Sequence, residues 1–241
     1  MKSVSFTVLA LIGTATAAAA SPKFLHPSFV GCASDGQLGP LPPPKHRPTP
    51  SLPAKMARAL SYYSGEEGPA VLAPRGWHCV GLYGSNGSLI IVTPEAHRAA
   101  EFFEDKPVSI RGPAIQSAFS VGETSGRFAV AEAIDRYFKV ARSFAQSVDA
   151  EGFSESNPPT GPYTSDILRD RSARSIRLTT PASLQGAGTD VRLLPGNLPI
   201  ETRISLLGEL RAPSLLTIQV RLPSNFDWLT DVILTKPVDG K

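Results

Sequence analysis

The residues best suited to chemistry are the consecutive Trp77, His78 and Cys79, because a histidine can activate a cysteine thiol as a nucleophile. The flanking residues are typical of a β-strand, in which neighbouring side chains point to opposite faces. His78 therefore cannot easily act as the base for Cys79. A cysteine held in a disulfide is also no nucleophile, so the pattern disfavours a cysteine hydrolase.

A serine nucleophile gains little support from the sequence. Ser85 lies in the run Tyr83-Gly84-Ser85-Asn86-Gly87, which lacks the first glycine of Gly-x-Ser-x-Gly. That motif needs a strand, a sharp turn and a helix, whereas this run lies in a predicted hairpin. We interpret Ser85 as a turn residue.

The residue types that bind metals are scattered along the chain. The histidines are His26, His46, His78 and His97. His97 and Glu101 are spaced to share a helix face, but such a pair is more typical of a polar surface than of a metal site. No glycine loop of the phosphate-binding kind follows a strand and opens a helix. The sequence predicts neither a metal nor a cofactor.

The N-terminus is typical of a secretory signal peptide spanning residues 1–20. Lys2 precedes an apolar stretch from Val4 to Ala15 and four alanines that end at Ala20, after which we expect cleavage. This stretch is about a dozen residues long, and a membrane span needs roughly 20. We therefore expect a soluble periplasmic or secreted protein with no integral membrane segment after cleavage.

Export bears on Cys32 and Cys79, the two cysteines of the chain. Disulfides form in oxidising compartments, so we expect these two residues to be paired. Two free thiols are the first alternative. The second is lipidation of Cys32, since Phe29-Val30-Gly31-Cys32 ends like a lipoprotein signal. The charged and proline-containing stretch 22–27 separates this run from the apolar core and argues against lipidation.

The charge balance argues against nucleic acid as a partner. The chain has 24 Lys+Arg and 21 Asp+Glu, and loss of Lys2 with the signal leaves 23 against 21, a net charge of +2. The densest basic run interleaves arginines with acids and is typical of a solvated face; it contains Arg169, Arg171, Arg174 and Arg177 with Asp166 and Asp170.

The predicted elements lie in one domain over residues 54–241, with a hinge near 151–165. Residues 21–53 are rich in proline and glycine and predict an extended arm. A short helix is predicted at 54–64, a second at 94–104, and a β-hairpin over 77–92 around Asn86-Gly87. Apolar spacing over 125–148 predicts one long amphipathic helix.

Alternating polar and apolar residues predict strands toward the C-terminus. Residues 200–206 and 216–222 alternate, and with 176–178 and 228–234 they predict an antiparallel meander with one solvated face. The expected fold class is α+β: antiparallel sheet with one long amphipathic helix packed on a face and an N-terminal proline-rich arm.

The N-terminal third also resembles a known run of sequence. The residues that carry the resemblance are Gly31, Cys32, Tyr62, Tyr63, Arg75, Gly76, Trp77, His78, Cys79, Tyr83, Gly84, Ser85 and Gly87. The run is similar to one in uncharacterised exported proteins of Gram-negative bacteria. The resemblance implies a periplasmic or secreted location and brings no activity or catalytic residue with it.

These observations favour a non-enzymatic binding module of the periplasm or envelope, whose partner the sequence does not identify. The candidate binding surface consists of Arg75, Trp77 and Tyr83, which are side chains that often form recognition sites. The alternative is a cell-envelope hydrolase whose catalytic residues cannot be named from sequence order.

Overall fold

The computed structural model describes residues 23–152 and 161–235. The predicted signal peptide at 1–20 lies outside these residues, as do residues 153–160 of the predicted hinge. Across the two described ranges, every helix is too short or too polar to cross a membrane.

Thirteen strands and four α-helices make up the described fold. The strands are β1 (Phe24–Leu25), β2 (Ser28–Gly31), β3 (Ser34–Gly36), β4 (Leu52–Pro53), β5 (Leu60–Ser64), β6 (Val71–Pro74), β7 (His78–Gly84), β8 (Gly87–Thr93), β9 (Ala114–Ser120), β10 (Ile167–Arg171), β11 (Ser175–Thr180), β12 (Ile200–Leu207) and β13 (Ser214–Arg221). The helices are α1 (Ala54–Ala59), α2 (Arg127–Tyr137), α3 (Arg142–Asp149) and α4 (Thr230–Thr235).

Eight strands form one large mixed sheet in the order β10-β11-β12-β13-β9-β8-β7-β3. All neighbours are antiparallel except β3 and β7, which are parallel. Strands β2, β5 and β6 form a smaller sheet, and β1 pairs with β4. Helix accounts for only about 21% of the chain. The α+β prediction is therefore wrong, and the protein is mostly β.

The large sheet is covered on both faces at β8, β9 and β13. Its front face carries Leu216, Ile218 and Val220 of β13, which pack with β5, β6 and α4 in one buried cluster. Its back face carries Leu215, Thr217, Gln219 and Arg221 of the same strand. Helices α2 and α3 cover one half of the back face, and loops 99–113 and 181–199 cover the other.

The predicted long helix over 125–148 is broken after Tyr137. Helix α2 ends there, Phe138 leaves helical geometry at φ −126° and ψ 85°, and α3 starts at Arg142 after a short 3-10 turn. Tyr137 and Phe138 are both buried, yet neighbours in a continuous helix point about 100° apart. The break lets both rings enter the core, and it folds α3 back onto α2.

Three shorter predictions also change. The helix expected at 54–64 ends at Ala59, and residues 60–64 become the fully buried strand β5. The helix expected at 94–104 is reduced to a 3-10 turn at Ala99–Phe102. Residues 228–234, expected as a strand, lie in a 3-10 turn and in α4. In each case packing overrides the local pattern.

The predicted hairpin is confirmed as β7 and β8, with a register that pairs Gly84 with Gly87 and leaves Ser85 and Asn86 in the turn. Gly81 lets the parallel strand β3 approach closely. A Cβ at this position would lie 2.1 Å from the Ser34 Oγ, so any larger residue would displace β3.

The proline-rich arm runs along the body and adds strands to it. Strand β2 pairs with β5, and β3 pairs with β7. The predicted disulfide between Cys32 and Cys79 is confirmed, with Cα atoms 5.3 Å apart. The backbone N–H of Cys32 also donates to the carbonyl of Ser64 at 2.8 Å. The disulfide therefore joins the small sheet to β7, the strand next to the edge of the large sheet.

We expect Cys79→Ala to lower the free energy of unfolding by about 2 to 5 kcal/mol, because the unfolded chain loses a covalent loop closure. Urea unfolding of the two proteins measures the difference. The double variant Cys32→Ala with Cys79→Ala is the control for the thiol left unpaired. Equal stability of the wild type under oxidising and reducing conditions would contradict the prediction.

Candidate ligand-binding site

The structure does not bring the predicted binding residues into one cluster. Arg75 is exposed and donates to the carbonyl of Ala57 at 3.1 Å. The Trp77 ring packs edge-on against Phe226 with centroids 6.3 Å apart. Tyr83 lies six residues further along, about 20 Å away in an extended strand, and donates to the carbonyl of Gly39 at 2.6 Å. Each of the three side chains therefore braces a different part of the fold.

The other sequence candidates occupy separate positions. The Cys79 sulfur is in the disulfide. The Ser85 hydroxyl lies 2.9 Å from that of Ser125 at the hairpin turn. His97 lies 3.8 Å from Glu101, whose carboxylate accepts from Arg98 at 2.9 Å. The bond from Arg98 holds the pKa of Glu101 below its usual value.

Three arginines of the basic run bond β10 and β11 to neighbouring elements. Arg177 lies 3.1 Å from Glu201 and 2.7 Å from Asp231. Arg169 donates to Thr179, and Arg171 donates to the carbonyl of Tyr137. Within residues 23–152 and 161–235 no group of three His, Cys, Asp or Glu side chains could hold a metal ion.

A buried polar row on the back face of β13 is the feature that sequence reasoning missed. Its alternation predicts a solvated face, yet Gln219 and Arg221 are buried and Thr217 is half-buried. A buried polar group must be hydrogen-bonded to offset the loss of water. The row therefore determines what covers it.

Arg221 is fully buried and binds two loops. Its guanidinium donates to the carbonyls of Ile110, Gly112 and Leu194 at 2.7 to 2.8 Å. Burial, with a smaller effect from nearby Arg111, lowers the pKa of Arg221 to about 10. The side chain thus stays charged at neutral pH, with backbone carbonyls as its partners.

Gly196 permits this close packing. A Cβ there would lie 2.1 Å from the Arg111 carbonyl oxygen and 2.9 Å from a guanidinium nitrogen of Arg221. Arg111 in turn donates to the carbonyl of Pro195 at 2.9 Å. Loop 181–199 is therefore fixed against loop 99–113 at this end.

Gln219 begins a second network that positions the same loop. The Gln116 amide donates to the Gln219 Oε1 at 2.6 Å and to the Asp190 carboxylate. Asp190 also accepts from the backbone N–H groups of Arg192 and Leu193, each at 2.7 Å. The polar row thus anchors loop 181–199 at two points.

Asp166 secures the third side of this arrangement. Its carboxylate accepts from the Thr180 hydroxyl at 2.6 Å and from the backbone N–H of Ala187 at 2.9 Å. The Thr180 oxygen accepts from the N–H of Gly188 at 2.9 Å. These bonds hold residues 186–190 beside α2.

A cavity of about 210 Å³, open to solvent over much of its surface, lies between α2, the back face and residues 186–190. Its apolar lining consists of Ala129, Ala133, Gly186, Ala187, Ile204 and Leu215. Its polar lining consists of Glu132, Arg136, Tyr137, Tyr163, Thr189, Asp190, Thr217 and Gln219. A concave site with both apolar and convergent polar groups is what small ligands require.

The charges at the cavity are already matched within the chain. Arg136 donates to Glu132 at 3.2 Å, and its guanidinium lies 4.3 Å from the centre of the Tyr163 ring. Tyr137 is buried, and burial followed by the charge of Asp166 raises the pKa of its hydroxyl. Tyr137 is therefore a neutral hydroxyl at physiological pH.

No protein-family model, curated protein or solved structure matches this chain. The resemblance to exported Gram-negative proteins accordingly stays a prediction.

We expect Arg221→Met to reduce the free energy of unfolding by about 3 kcal/mol or more, since each buried carbonyl left without a donor costs about 1 to 3 kcal/mol. Urea unfolding measures the loss. Hydrogen exchange should rise in residues 108–113 and 192–196. Arg203→Met is the matched control on the neighbouring strand, because Arg203 is half-buried and bonds the Ser175 hydroxyl. Equal losses in the two variants would contradict the role given to Arg221.

The raised pKa of Tyr137 predicts a pH dependence of stability. Above about pH 10 the unfolded state releases the tyrosine proton while the folded state keeps it, so stability falls as pH rises. One such group contributes up to about 1.4 kcal/mol per pH unit. Tyr137→Phe should therefore lose less stability between pH 8 and pH 11 than the wild type. Parallel curves in urea unfolding would exclude this effect.

Proposed function

We propose that this protein is an exported, non-enzymatic binding protein of the cell envelope that holds a small ligand in the cavity beside α2. The single observation that carries the proposal is the cavity itself, because loop 181–199 is fixed around it by hydrogen bonds of Arg221, Gln116 and Asp166. A site formed in advance binds at a lower entropic cost than one that must be ordered.

Export is supported by two independent features. The first is the order of Lys2, the apolar stretch and the alanines before Ser21. The second is the disulfide between Cys32 and Cys79, which is stable in an oxidising compartment. The periplasm or the cell exterior meets both conditions.

A binding role is favoured over catalysis by the composition of the cavity lining. Among the described residues, that lining contains no histidine, cysteine or serine. Of its two acids, Glu132 is paired with Arg136, and Asp190 accepts two backbone N–H bonds and one from Gln116. These two acids are occupied as structural acceptors.

The proposal is tested by blocking the cavity. Ala129 is exposed on α2 and lines the cavity, so Ala129→Trp should fill the opening with little effect on the core. Ser143→Trp places the same side chain at an exposed position of α3 and is the matched control. The probes are three panels of small solutes: monosaccharides, amino acids and small anions.

Thermal unfolding provides the measurement. A ligand at about 100 times its Kd stabilises by about 2.7 kcal/mol and raises the melting temperature by several degrees. We expect at least one panel to stabilise the wild type and Ser143→Trp but not Ala129→Trp. If no solute stabilises the wild type, or if Ala129→Trp responds equally, the cavity is not a ligand site.

A further inference from the structure

The chemical class of the ligand can be inferred from the cavity, and this inference rests on the proposed function. The charged side chains at the cavity are already compensated. Arg136 is compensated by Glu132 and by the Tyr163 ring, and Asp190 is compensated by three donors. A charged ligand would have to lose water without finding an unpaired counter-charge. The cavity therefore favours a neutral ligand.

Two hydroxyl groups of the cavity lining are available for hydrogen bonding. In the described ranges the hydroxyls of Tyr137 and Thr217 form no hydrogen bond with the protein, and each can both donate and accept. The Gln116 Oε1 and the Thr202 Oγ1 are buried and have no partner among those residues. Both lie in the cross-strand row of Gln219, which lines the cavity. A ligand with several hydroxyl groups would match the hydroxyls of Tyr137 and Thr217.

The cavity also has an apolar part. The floor of the cavity changes along β13 from Leu215 to Thr217 and then to Gln219, so it is apolar at one end and polar at the other. Tyr163 adds an aromatic ring that is 38% exposed. A sugar ring has this dual character, with a C–H face that packs on aromatic or aliphatic groups and hydroxyls at its edge.

The volume of the cavity limits the size of the ligand. The volume of about 210 Å³ lies below the range of roughly 300 to 1,000 Å³ that accepts drug-sized ligands. A single sugar ring suits this volume, whereas an oligosaccharide would extend far outside it. We infer that the ligand is a neutral monosaccharide.

The inference is tested by calorimetric titration with glucose, galactose and N-acetylglucosamine, and with glutamate, arginine and phosphate as charged counterparts. We expect at least one sugar to bind saturably, with an affinity that changes little between about 0.05 and 0.5 M salt because the ligand is neutral. The charged solutes should not bind.

Two variants examine the contacts. Thr217→Val removes one hydroxyl without changing the shape of the side chain and should weaken sugar binding about tenfold. Tyr163→Ala should weaken it about fivefold or more through loss of the ring surface. Trp228→Ala is the matched control, because Trp228 is 41% exposed, its ring lies under the Lys55 amino group, and it does not line the cavity. It should bind as the wild type does.

The outcomes separate this inference from the proposed function. If a charged solute binds, no sugar does, and Ala129→Trp abolishes the binding, the ligand class is wrong and the cavity is still a ligand site. If a sugar binds equally to Thr217→Val and Tyr163→Ala, the inferred contacts are wrong. If neither class binds, the proposed function itself fails.

Discussion

Strand β13 packs against an apolar layer on its front face and against polar partners on its back face. Its front row of Leu216, Ile218 and Val220 packs in the core with the small sheet, and its back row ends in Gln219 and Arg221. Burial of those two side chains is favourable only with partners of matching polarity. Arg221 finds its partners in two loops, and Gln219 bonds Gln116 of β9, which in turn bonds Asp190 of loop 181–199. The polar side chains of a regular strand thus order an irregular part of the chain.

The cavity results from the way loop 181–199 is anchored over these polar side chains. Arg221 fixes one end of loop 181–199, and the amide of Gln116 connects Gln219 to Asp190 further along it. Asp166 holds Ala187, on the N-terminal side of Asp190. Because α2 rests on the same strand, the loop and the helix stand apart with a gap between them. The candidate site is therefore a by-product of how the polar row is covered.

The sequence predicts those parts of the fold that depend on local pattern. The hairpin, the alternation in β12 and the disulfide are visible because turn residues, period and cysteine count are local or compositional signals. The break after Tyr137 and the burial of Arg221 depend on distant partners. The alternation in β13 predicts that its polar side chains face solvent. The glycines and prolines of 181–199 predict a loop, but they do not indicate that it covers these side chains. The candidate site combines residues from five separate segments, so no local motif marks it.

The pairing of β9 with β13 has a kinetic consequence. It joins residue 115 to residue 220 at the centre of the large sheet, so more than a hundred residues must be synthesised and positioned before the sheet can close. Contacts of such long range slow folding, because chain entropy is lost before they form. Until then the apolar strands β8 and β9 have an open edge that invites association with other chains. The faster β13 pairs with β9, the shorter is the interval in which this edge is open.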